Sequence, residues 1–175
     1  IPPGSTITAV TLTMNVSRSA GGTQPVALHR ALSSWGEGTS DAGAEEGSGA
    51  ASKPNDATWI HRFFPDTFWI NAGGDFAASA SASTNAGSSS VSWSTSQMIA
   101  DVQSWVNNSG ANFGWVLKGN KSAARTAKRF DSRENPDPAV RPRLTIDYTP
   151  VPEPTRAFWL GAAMWLAIQP SNSGR

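Results

Sequence analysis

Along residues 5–16 (STITAVTLTMNV) apolar and polar positions alternate: Val10, Leu12, Met14 and Val16 fall on one side, Thr11, Thr13 and Asn15 on the other. A period of two is that of a strand buried on one face. Residues 19–24 (SAGGTQ) read as a turn and 26–30 (VALHR) as a second short strand, so the two together predict a hairpin. Further strands are expected at 58–64 (TWIHRFF), 75–84, where Phe76, Ala78, Ala80 and Ala82 alternate mainly with small residues, 91–93, 113–118, 127–133 and 143–148. Turns fall between them at Gly73-Gly74 and over 85–90.

One segment has the other period. Met98, Val102, Trp105 and Val106 recur at helical spacing, with a capping box expected over Ser94 to Gln97 and a stop at Asn107, Asn108 and Gly110. The pattern as a whole predicts an all-β fold: a two-sheet antiparallel β-sandwich with one short helix across an end. Residues 1–149 form this domain. Residues 150–175 are a Pro-rich break (Val151-Pro-Glu-Pro154) followed by a short apolar tail, AFWLGAAMWLAI, whose 12 residues fall short of the roughly 20 a spanning helix needs. The opening Ile-Pro-Pro, in place of Met, reads as a processed or partial chain.

Composition supports strands and narrows function. Charged residues are 15% of the chain and net charge is +1, so there is no global field to draw nucleic acid. No cysteine is present, which removes disulfides, thiolate nucleophiles and Cys-based zinc sites. Eight Trp against one Tyr exceed the needs of a small core, so some indoles are expected at a surface where stacking matters.

Two segments are candidate sites. In residues 128–135 (KRFDSREN), a strand would put Arg129, Asp131 and Arg133 on one face as a platform of forked donors and a carboxylate for sugar hydroxyls. Taken alone, the segment fits a self-satisfied ladder of ion pairs somewhat better. At the mouth of the long loop 33–53, Trp35 could stack on a sugar ring and Glu37 could accept hydroxyl hydrogen bonds or ligate calcium with Asp41, Glu45 and Glu46. Taken alone, the segment fits better a structural reading, in which Trp35 plugs the end of the sandwich and Glu37 caps backbone amides in a tight turn. Trp105 is expected in the core, while Trp93 and Trp115 fit core or surface. Trp59 and Trp69, with Phe63, Phe64 and Phe68, make the densest aromatic run, read as a second hydrophobic layer in preference to a binding strip. His29 and His61 sit on ordinary strand faces. The sequence contains no nucleophile elbow, HExxH, P-loop or dinucleotide fingerprint.

The ordered combination of Ile1-Pro-Pro-Gly-Ser-Thr-Ile-Thr through Leu12-Thr-Met, Val26-Ala-Leu-His-Arg30 with Ser34-Trp-Gly-Glu-Gly-Thr39, Asp101-Val-Gln-Ser-Trp105, Asn112-Phe-Gly-Trp-Val-Leu-Lys118, Phe130-Asp-Ser-Arg-Glu-Asn135 and Arg141-Pro-Arg-Leu-Thr-Ile146 resembles DNRLRE-type domains. The resemblance implies a jelly-roll-like sandwich of an exported protein, carbohydrate-binding in some members. The tail resembles a degenerate PEP-CTERM sorting signal. The expectation is therefore a non-catalytic module at the surface of a Gram-negative-type bacterium. Its partner would be a polysaccharide or cell-surface glycan, gripped by Trp35, Glu37, Arg129, Asp131 and Arg133 without a cofactor beyond a structural calcium. Membrane contact would come only through the tail. The alternatives are a purely structural surface domain and an accessory part of a polysaccharide lyase or hydrolase.

Overall fold

The computed structural model describes residues 1–43, 49–122 and 124–152. Among them the chain is all-β, with antiparallel sheets and one helix. The first strand, β1 (Thr6–Ser19), is the spine of one sheet. Its alternation buries Val10 and Val16 inward and leaves Thr11 and Thr13 on the other side. β2 (Gln24–Arg30), β3 (His61–Phe63), β4 (Thr67–Phe68), β5 (Ala82–Ala86), β6 (Ser90–Trp93), α1 (Ser96–Asn107), β7 (Trp115–Gly119), β8 (Lys128–Phe130) and β9 (Arg143–Thr149) follow.

β1 pairs with β6 on one edge and with β8 and β9 along the other. The second sheet has the order β5-β2-β7, and β3-β4 is a separate two-stranded unit. Ile7, Val10, Val16, Val91 and Trp93 from the first sheet meet Val26, Leu28, Ala82 and Ala86 from the second in one buried cluster. Met98, Val102 and Trp105 of α1 join it. Trp93 ties the sheets directly, its Nε1 donating to Val26 O at 2.9 Å.

This arrangement corrects several sequence expectations. β1 and β2 do not form a hairpin: they belong to different sheets, because Val16 and Val26 bury into the same core from opposite sides. The strand expected over 75–84 shrinks to β5, since Ala78, Ser79 and Ala80 are exposed and Phe76 makes only an isolated bridge to Ala31. The run 58–64 is strand only over β3. Thr95, not Ser94, caps α1, its Oγ1 accepting from Met98 N at 3.1 Å, while Ser94 Oγ donates to Val10 O. Gln103 then fastens α1 to the start of β1 by accepting from Ile7 N and donating to Ser5 O.

Candidate functional site

The strand carrying Arg129 ends at Phe130, so of the expected shared face Arg129 and Asp131 stay together, on Ser17 and Asn15 of β1, and Arg133 leaves it. Arg129 Nε donates to Ser17 Oγ at 3.0 Å, and Asp131 accepts from Asn15 Nδ2 at 2.7 Å. The Asn15 amide, helped by Ser17, Asn135 and the Arg129 charge, holds the Asp131 carboxyl below the ordinary carboxylate range. Both side chains are thus fastened to β1. Beyond β8 the chain turns, and that turn swings Arg133 outward.

There Arg133 meets Glu37 at 2.9 Å and also pairs with Glu134. Residues 37–42 and 132–134 line an open groove of about 620 Å³. Glu37 and Arg133 are therefore brought together, Arg129 and Asp131 are held away from them by β1, and Trp35 lies beside Glu37 in sequence. Trp35 is 46% exposed, and its Nε1 donates to Phe113 O at 2.9 Å, which fixes the plane of the ring.

The loops carrying Trp35 and Glu37 rest on two aspartates that the sequence patterns did not single out. Asp56 is buried and accepts the backbone N–H groups of Lys53 at 2.6 Å, Thr39 at 3.1 Å and Ser40 at 3.3 Å. The Lys53 amide is the strongest reason that its carboxyl lies below the ordinary value. Asp75, also buried, accepts from Ile70 N, Asn71 N and Ser33 Oγ. Burial opposes ionisation there, but the Ile70 and Asn71 amides outweigh it and the carboxyl is again lowered. The available signal was Asp beside Asn, Pro or Gly in a turn (Pro54-Asn-Asp56 and Gly73-Gly-Asp75), where such side chains satisfy local amides.

Backbone bonds Gly36 N to Arg62 O, Ala57 N to Gly36 O and Asn55 N to Phe64 O join the Trp35 loop to the β3-β4 unit. The unit and its flanking residues expose several large apolar side chains. Trp59 is 62% exposed, Phe68 59% and Ile70 87%, with Ile60 and Leu32 also exposed. The expected second hydrophobic layer is thus only partly one: Phe63, Phe64 and Trp69 are half-buried, while Trp59 and Phe68 face outward. His61 stacks against Phe68 with ring centres 4.5 Å apart. Lys121 Nζ lies 4.6 Å from the centre of the Trp59 ring. Gly73 permits the indole to settle, because a Cβ there would come within 2.8 Å of it.

The other indoles among the described residues are structural. Trp93 and Trp105 are buried, and Trp115 Nε1 donates to buried Asp101 at 2.8 Å. His29 bonds Ala77 O through Nδ1, and His61 bonds Thr58 Oγ1. For calcium the described residues offer no assembled donor set. Glu37 is engaged by Arg133, Asp41 by the Gly43 amide, and Glu45 and Glu46 lie outside the described residues. No group of three or more His, Asp or Glu among the described residues is placed to hold a metal ion. No helix among them is long and apolar enough to cross a membrane, and the sorting-signal-like tail lies outside them.

No family model, curated protein or solved structure matches this chain.

Proposed function

We propose that this chain is a non-catalytic carbohydrate-binding or surface-attachment module that works outside the cell, on a DNRLRE-like jelly-roll domain spanning 1–149. The observation that carries the reading is the outward-facing Trp59 and Phe68, before β3 and on β4, with the flanking loops held by Asp56 and Asp75. Contiguous exposed apolar surface marks interaction sites, and pyranose C–H faces stack well on aromatic rings. The groove with Glu37 and Arg133 supplies the complementary polar chemistry, a carboxylate and a guanidinium fork able to bond hydroxyl groups. On this reading the aromatic surface joins Trp35, Glu37 and Arg133 as the contact region, and Arg129 with Asp131 acts from behind by bracing β8 against β1.

Glycan arrays and affinity electrophoresis on insoluble and soluble polysaccharides test it. Phe68→Ala and Trp59→Ala should abolish retention of whichever glycan the parent retains, and Arg133→Ala should weaken it, with circular dichroism unchanged. Absence of any retained glycan, or retention indifferent to all three changes, would remove the binding role.

A second reading, a purely structural surface domain, is favoured by the engagement of Arg129 and Asp131 with β1. It requires that no polysaccharide raise the melting temperature.

A further inference from the structure

The last strand leaves an edge and part of a face uncovered. Among the described residues β9 pairs with β1 alone, so alternate amides and carbonyls on its far side have no strand partner. The register places Ile146 opposite Val10 and Leu144 opposite Leu12, which turns Leu144, Ile146 and Tyr148 toward the core side of the sheet. Even so, Leu144 is 44% and Tyr148 40% exposed. Arg143, Thr145 and Asp147 occupy the opposite face, and neither Arg143 nor Asp147 has a side-chain partner among the described residues.

A long edge strand with an apolar face invites pairing, and soluble proteins usually block it with Lys, Pro or a bulge. β9 has no Lys and no Pro, and its one register shift against β1 lies near its far end, between Ile7 and Ala9. Its two charges instead cancel, and their spacing is self-complementary.

We infer that β9 is the contact strand of a symmetric homodimer, in which it pairs antiparallel with β9 of a second copy about a two-fold axis through Thr145. In that register Arg143 stands opposite Asp147 of the second copy, and Asp147 opposite its Arg143. Leu144 faces Ile146 of the second copy in the same way. Both oppositely charged pairs and both apolar pairs lie on matching faces, the arrangement that stabilises cross-strand neighbours, and the contact is isologous, as closed dimers require. Sliding the register by two residues would set Arg143 opposite Thr149 and lose both charge pairs. The contact is short compared with a standard interface, so it forms at high protein concentration or where the module is crowded on a surface. The inference is independent of what the aromatic surface binds.

Sedimentation velocity across a concentration series tests it, combined with hydrogen exchange of the β9 amides. The expected result is reversible dimerisation with slower exchange at Leu144 and Ile146 in the dimer. Asp147→Arg and Arg143→Asp, each placing like charges opposite one another, should each raise the dimer dissociation constant roughly tenfold or more. The double variant Arg143→Asp with Asp147→Arg should restore it. Both residues are exposed and have no side-chain partner among the described residues, so the variants fold. Three results would overturn the inference: a monomer at every concentration with fast-exchanging β9 amides; a monomer with protected ones, meaning another strand of the same polypeptide covers the edge; or single variants that dimerise like the parent.

Discussion

The carboxylate of Asp56 fills the space that any side chain at Gly38 would need: a Cβ built there would lie 1.7 Å from Asp56 Oδ1. Gly38 also has φ of +65°, a conformation L-residues rarely adopt. The contact lets the aspartate reach the Thr39 and Ser40 amides, and so sets the path of the loop that presents Glu37. Gly38→Ala should therefore cost about 1–3 kcal/mol in denaturant unfolding. It should also displace Glu37 from Arg133, seen as a change in any ligand affinity larger than Glu37→Ala alone produces.

Acid should loosen this surface. The carboxyls of Asp56, Asp75 and Asp131 are all held below their ordinary value in the folded protein. Their contribution is present above the unfolded carboxylate pKa of about 3.9 and is lost as pH falls through the lower folded values. The melting temperature should stay level from neutral pH to about 5 and fall below about 4. Asp56→Asn and Asp75→Asn should each lower it at neutral pH and flatten the acid limb. An acid limb unchanged in both variants would assign the loss of stability elsewhere.

Inside the domain, Asp101 of α1 accepts from Ser81 Oγ, Trp115 Nε1 and Gln97 Nε2. It links the helix to β7 and to the chain entering β5. Asp101→Ala leaves the Ser81 hydroxyl and the indole N–H without their acceptor, and should cost about 3 kcal/mol. Trp115→Phe removes one donor only and should cost less. The double variant should fall short of the sum, because both changes break the same bond.

Trp93 is 1% exposed and spans both sheets through its bond to Val26 O. Trp93→Phe should cost about 2–3 kcal/mol, part from the void and part from an orphaned carbonyl. Urea unfolding measures it.

The ion pair in the groove should do nothing for stability. Its partners, Arg133 and Glu37, have side chains 70% and 58% exposed, and solvent screens such pairs. Arg133→Ala and Glu37→Ala should leave the melting temperature unchanged, so any effect they have is on binding.

The alternation of Val10, Leu12, Met14 and Val16 and the helical spacing of Met98, Val102 and Trp105 were enough to announce an all-β chain with a single helix. Burial demands those periods wherever the strand or helix lies in the fold. Partners were another matter. That β1 and β2 separate into different sheets, and that the strand of Arg129 stops before Asp131, depends on contacts with residues some hundred positions away, which no local pattern encodes. The same holds for the candidate site. Arg133 and Glu37 were legible as chemistry, but their meeting, the fastening of Arg129 and Asp131 to β1, and the outward turn of Trp59 and Phe68 follow from loop paths held by Asp56 and Asp75. Residue type determined what each side chain can do; only the folded chain decided which of them remain free to do it, because bonds made inside the protein are no longer open to a ligand.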